Sequence, residues 1–153
     1  MRKQTSPVRA GALILLLSLA LTAVGCRTPQ TLVDPPPIAA AESSAQTRAA
    51  ILRALVESHY TIESEEAGRI IARYSQSQWT MLVAVDYSNR VAVRYVSSAN
   101  LNYGTDNGTP VIHRGYNTRA QRLSNMIGTE IAVARAGDEL PPVAAPPPNA
   151  RPK

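Results

Sequence analysis

The stretch "WTMLVAVDYSNRVAVRYVS", residues 79–97, alternates along most of its length. Trp79, Met81, Val83, Val85 and Tyr87 fall on one face, and Thr80, Leu82, Ala84 and Asp86 on the other. Ser88–Asn89 offers a tight reversal, after which Val91, Val93 and Tyr95 alternate with Arg90, Ala92 and Arg94. Two period-two runs joined by a short turn predict an antiparallel hairpin with one covered face. Upstream, "RIIARYS" (69–75) places Ile70, Ala72 and Tyr74 on one face and predicts another strand. "EEAG" supplies a turn, with Gly68 free to take positive φ, and "YTIES" (60–64) is a short fourth candidate.

The flanks change period. Residues 44 to about 59 predict a helix capped by Ser44, with Ala49, Leu52, Leu55, Val56 and Tyr60 as its apolar stripe. A second helix is expected from Tyr116 to Ala134, with Tyr116, Ala120, Leu123, Ile127, Ile131 and Ala134 at steps of three and four and Gly137 as its stop. The order is helix, three or four antiparallel strands, helix. Its economical packing is an α+β two-layer sandwich with both helices on one sheet face. Beyond residues 44–136 the chain reads as unstructured. "RTPQTLVDPPPIAAAES" (27–43) predicts an extended tether of up to ~50 Å at about 3.1 Å per residue. Residues 137–153 are proline-rich, aperiodic and predicted to be disordered.

A formal charge of +5 invites a nucleic-acid reading. Arg2, Lys3 and Arg9, however, belong to residues 1–25, which hold no acidic residue. Without them thirteen basic residues face eleven acidic ones, a net charge of +2, and no basic stripe remains for phosphates. Residues 1–25 read as a signal peptide. A charged start precedes an apolar core, "GALILLLSLAL", too short for a spanning helix of roughly 20 residues.

"LTAVGC" (21–26) ends in the single cysteine of the chain and resembles the lipobox of bacterial lipoproteins. The resemblance implies cleavage before Cys26 and acylation of its sulfur and amine. A lone cysteine in an oxidising compartment has no disulfide partner, and acyl chains give it a use. Arg27, rather than aspartate, follows it. By the same resemblance the address is the outer membrane, periplasmic face, in preference to inner-membrane retention.

Chemistry-bearing motifs are sparse. His59 and His113 are far apart, nothing has metal-ligand spacing or a phosphate loop, and no cofactor is called for. Glu63, Glu65 and Glu66 read as a solvated charge run. One stretch is richer in polar groups than a connection needs, residues 95–117. Ser98, Asn100, Tyr103, His113, Tyr116 and Asn117 there are the candidate binding residues. They form either a recognition surface held on a rigid scaffold or a loop folded by its own side chains, with Asn117 capping the second helix.

"RYVSSANLNY" followed by "IHRGYNTRAQRLSNMI" resembles a family of short proteobacterial lipoproteins to which no activity is attached. Tyr95, Ser98, Asn100, Leu101 and Tyr103 fill its first block, and Ile112, His113, Tyr116 and Asn117 its second. The family carries tryptophan where this chain has Arg119, which puts an aromatic role there in question. The expectation is a lipid-anchored, periplasm-facing interaction module, not an enzyme, with an envelope protein or the cell wall as partner. The alternative is a small-molecule or glycan binder using residues 98–117. A flat apolar sheet face exposing Trp79 and Met81 would favour the first, and a closed pocket by the loop the second.

Overall fold

The alternating run of residues 79–97 forms the middle of a sheet whose apolar face is the core. The structure, a computed structural model, describes residues 29–138; the segment expected to be a signal peptide, Cys26 and the rest of residues 1–28, and residues 139–153, lie outside the described residues. In chain order the elements are β1 (Gln30–Thr31), β2 (Ile38–Ala39), α1 (Ser44–Glu57), β3 (Thr61–Glu66), β4 (Arg69–Gln76), β5 (Trp79–Tyr87), β6 (Arg90–Ala99), β7 (Gly104–Asp106), β8 (Thr109–Ile112) and α2 (Arg114–Asp138). Five strands form one antiparallel sheet in the order β2-β6-β5-β4-β3, and three form a second in the order β1-β8-β7.

The expected α+β architecture is present, and both helices cover one face of the larger sheet. Ile70, Ala72 and Tyr74 from β4 meet Met81, Val83, Val85 and Tyr87 from β5 and Val91 and Val93 from β6, all buried. The helices supply Ile51, Leu55, Tyr116, Leu123, Ile127 and Ile131. The second sheet is an addition to the expected three or four strands.

Helix α1 sits rotated from its expected stripe. Its buried residues are Thr47, Ala50, Ile51, Ala54 and Leu55, while Val56 is 68% exposed. That set follows the i, i+3, i+4, i+7, i+8 pattern of an amphipathic helix without a gap. Its two alanines and one threonine conceal it from a count of large apolar residues. Thr47 is buried at no polar cost, because its hydroxyl donates to Ser43 O (2.9 Å) and accepts from Ala41 N (3.0 Å). The cap is Ser43 rather than Ser44. Its Oγ accepts Gln46 N at 3.2 Å while Gln46 Oε1 accepts Ser43 N at 3.0 Å, a capping box. Helix α2 carries the stripe expected of it but starts two residues earlier and runs through Gly137.

The proline-rich stretch expected as a free tether is part of the domain. β1 pairs with β8 through Gln30↔Ile112 and Thr31↔Val111, and β2 pairs with β6 through Ile38↔Val91 and Ala39↔Arg90. Between them Pro35 is buried. This strap follows β6 along the edge of the larger sheet. Its prolines lack the N–H needed to continue a ladder, so side chains attach it instead. Asp34 Oδ1 accepts Tyr95 N at 2.9 Å, and Arg90 donates to Pro37 O at 3.2 Å. Ile38 Cδ1 lies close over Gly128 of α2. Residues 30–31 and 38–39, expected to lie in the tether before residue 44, are therefore paired into the sheets.

The outer face of the larger sheet is polar. Arg69 and Arg94 both reach Asp86 and Arg73 reaches Glu63, while on the helix side of the edge strand Arg48 of α1 reaches Glu65, so two of the three expected solvated glutamates are paired. Hydrogen bonds from Arg69, Arg73 and Arg48 hold the carboxyls of Asp86, Glu63 and Glu65 below the ordinary range. Depressed carboxyl groups contribute stability above their unfolded values, about pH 4, and lose it as pH falls through the lower folded values. Urea midpoints should therefore decline below about pH 4, and Asp86→Asn should flatten that limb. An unchanged limb in the variant would remove Asp86 from the account.

Candidate functional site

Two backbone irregularities build the polar end of the domain. Opposite Leu82 and Val83 the register of β6 jumps from Ser97 to Tyr95, leaving Val96 as the extra residue of a bulge. A bulge shifts which side chains face inward. Ser98 consequently stands opposite core-facing Met81, and its hydroxyl meets Tyr95 Oη at 3.0 Å. Then Asn100 (φ 60°) and Asn102 (φ 50°) take left-handed conformations that asparagine tolerates better than other non-glycine residues. They reverse the chain around Leu101, which is 2% exposed, and Leu101 O accepts His113 N at 2.8 Å. Asn100 Nδ2 donates to Gln78 O and ties this corner to the β4–β5 turn.

β7 and β8 follow as a hairpin where a loop was expected. Asn107 (φ 48°) and Gly108 (φ 81°) form its two-residue turn, both with the positive φ of a type I′ reversal. Pro110 is accommodated in β8 because the strand uses its carbonyl, which accepts Leu32 N at 2.9 Å.

His113 begins α2. Its Nδ1 accepts Gly115 N at 3.1 Å, so histidine takes the capping role expected of Asn117. A Cβ at position 115 would stand 3.0 Å from that nitrogen, which favours glycine there. With its lone pair committed at Nδ1, the neutral ring carries its proton on Nε2. His113 in this arrangement offers an N–H donor.

Beside it opens a cleft of about 400 Å3 lined by Gln78, Trp79, Asn100, Leu101, Asn102 and His113. Of the six candidate residues, Asn100 and His113 line it. The other four lie outside its lining. Tyr103, 52% exposed, stacks on Tyr95 with ring centroids 4.8 Å apart, and Tyr95 meets Tyr116 edge-on at 5.1 Å. Tyr116 is fully buried and donates to Asp34 Oδ1 at 2.6 Å. Burial first, and then that bond, push its hydroxyl pKa well up. Asn117 clamps the strap, with Oδ1 accepting Val33 N at 3.1 Å and Nδ2 donating to Thr31 O at 2.8 Å. Gln78, Trp79 and Asn102 were not among the expected site residues. The Asn-x-Asn spacing of "ANLN" was a local signal for Asn102, since asparagine suits left-handed positions.

A second aromatic series supports the cleft from behind. Tyr60, Tyr74 and Trp79 follow one another at 5.3 and 5.6 Å. Arg119 lies 4.1 Å over the Tyr74 ring and donates to Gln76 Oε1 at 3.1 Å. The arginine at the position where the resembled family has tryptophan thus still packs on an aromatic ring. Tyr60 Oη is buried without a hydrogen-bond partner among the described residues. The groove beside Tyr60 also takes in Arg119, Arg122, Leu123 and Met126.

Asn117→Ala should cost more than His113→Ala. The first removes two exposed bonds to strap backbone, worth about 0.5–1.5 kcal/mol each, and the second one cap, worth ~1 kcal/mol. Denaturant midpoints at constant slope measure both, and the reverse order would contradict these roles.

Among the described residues no three His, Cys, Asp or Glu side chains gather as a metal site, and no helix is long and apolar enough to cross a membrane. No known protein family, curated protein or solved structure matches this chain.

Proposed function

We propose that the chain is a lipid-anchored outer-membrane lipoprotein, facing the periplasm, whose domain binds a polar ligand at the Trp79–His113 cleft without catalysing a reaction. The cleft carries this reading. Its side chains are three amides (Gln78, Asn100 and Asn102), an indole, an imidazole held as a donor and the largely buried Leu101. Amides and N–H groups recognise hydroxyl-rich or phosphate-bearing groups through hydrogen bonds, and the indole adds an apolar face. Among the described residues no carboxylate lines the cleft to act with His113 as an acid–base pair.

The flat apolar interaction face is not favoured. Met81 is fully buried, Trp79 is half-buried, and the outer sheet face bears ion pairs. That moves the weight from a protein-docking sheet to the small-molecule or glycan reading of residues 98–117, extended to Gln78 and Trp79.

The test has two arms in intact cells. The parent should incorporate a palmitate analogue and fractionate with membranes, and Cys26→Ser should do neither. A photo-crosslinking residue at Asn102 should capture an envelope component that the same residue at Glu66, on the edge strand β3, does not. Equal capture at both positions would count against the cleft, and membrane labelling of Cys26→Ser against the anchor.

A further inference from the structure

The structure places the start of the domain and the cleft at the same end. β4 ends at Gln76, β5 begins at Trp79 and β6 ends at Ala99, all at the end of the larger sheet where α2 begins. β1 enters there too. Gln30 pairs with Ile112, so the next position back, Pro29, falls beside His113. Opposed residues of an antiparallel pair lie about 5 Å apart. Three more chain steps lead back to Cys26, and three residues span at most about 11 Å even when fully extended. Cys26 is therefore held within about 16 Å of the His113 backbone whatever path those residues take.

We infer that the cleft is a membrane-facing surface whose occupant is the phospholipid headgroup layer of the bilayer that anchors the chain. This rests on the proposed acylation of Cys26 and deepens it by naming the ligand class. The acyl chains enter the hydrocarbon, above which headgroups add about 6 Å per leaflet. A spacer of at most about 11 Å leaves no room to insert a cell-wall polymer between anchor and cleft.

The charges agree with this orientation. From Arg114 to Thr129, α2 carries Arg114, Arg119 and Arg122 and no carboxylate, and Arg27 lies in the spacer. Arg114 and Arg122 have no carboxylate partner among the described residues. Cations at this end suit phosphodiester headgroups. Trp79, the single tryptophan, lines the cleft, and indole rings favour the headgroup level. Helix α2 is about 37 Å long by its rise per residue. Its far end at Asp138 therefore points away from the cleft end.

Both the single cysteine and the single tryptophan serve the test. The mature chain from Cys26 onward is coupled through its thiol to a maleimide phospholipid in phosphatidylethanolamine–phosphatidylglycerol vesicles that contain headgroup-nitroxide lipid. Trp79 emission should be quenched at least twofold relative to uncoupled protein. A spacer of some twenty Gly/Ser residues between Thr28 and Pro29 should relieve most of that quenching. Arg114→Gln with Arg122→Gln should weaken what the spacer leaves, at unchanged circular dichroism. Unquenched Trp79 in the coupled parent overturns the inference. Mass spectrometry of the chain from its native membranes reads acylation separately. No acyl mass overturns both the anchor and the inference, whereas acyl mass with unquenched Trp79 overturns the inference alone.

Discussion

Replacing Asp34 with alanine is expected to destabilise the domain by about 3 kcal/mol, a fall on the order of 10–15 °C in melting temperature for a chain of this size. One carboxylate oxygen accepts both the Tyr116 hydroxyl and the Tyr95 backbone N–H. Bonds to a charged acceptor contribute about 1.5–3 kcal/mol each, and the buried donors left behind cannot easily find water. Tyr116 is fully buried, so its hydroxyl would be stranded. Asp34→Asn retains an acceptor oxygen and should lose less. Tyr116→Phe should lose about 1 kcal/mol alone and almost nothing further when combined with Asp34→Ala. That non-additivity identifies a shared bond. Equilibrium urea unfolding of the parent and the four variants checks it. If Asp34→Ala stays within about 0.5 kcal/mol of the parent, the usual scatter of surface substitutions, the strap is not latched as described.

Why the latch could not be read from the sequence is a matter of range. The core of β4, β5 and β6 was legible because alternation at period two is local, and Val83, Val85, Val91 and Val93 announce their face within a few residues. The stripe of α2 was legible for the same reason at period 3.6. Nothing local marks Gln30 as a partner of Ile112, or Asp34 as the acceptor of Tyr116. β1 and β2 are two residues each, too short for a pattern, and a run of prolines reads as a spacer whether or not a groove receives it. The β7–β8 hairpin had a local signal in Asn107-Gly108, but Pro110 argued against a strand. In the candidate site, Asn100 and His113 were legible as polar groups out of place in a plain loop. Their separation from Ser98, Tyr103, Tyr116 and Asn117 depended on the Val96 bulge and on where the strap lies, neither of which composition encodes.

The fragment 44–138, which contains the 44–136 that the sequence marks out as the domain, should therefore fail to melt cooperatively, while 29–138 should show a single transition. Deleting the strap also removes the entropy cost of ordering it. The outcome thus depends on what the remainder is left with. Tyr116 Oη and Tyr95 N lose their acceptor, and Asn117 loses both partners. The two tyrosine donors, stranded, cost about 1–3 kcal/mol each, and the two exposed Asn117 bonds about 0.5–1.5 kcal/mol each. Pro35 no longer fills its buried place, and Leu32, Ile38, Ala40 and Ala41 no longer cover the core. Each 100 Å2 of apolar surface returned to water costs a further ~2.5 kcal/mol. Together these reach ~5–10 kcal/mol, against a total stability of about 5–15 kcal/mol for an ordinary domain. β6 would also present an open edge where β2 had closed it, a template for pairing between molecules. Scanning calorimetry of the two fragments, with sedimentation to detect association, decides the matter. A fragment 44–138 that melts in one transition within a few degrees of 29–138 would show the strap to be an ornament on a self-sufficient sandwich. Loss of the transition, and its return when residues 29–43 are added as a peptide, would show that the proline-rich stretch completes the fold.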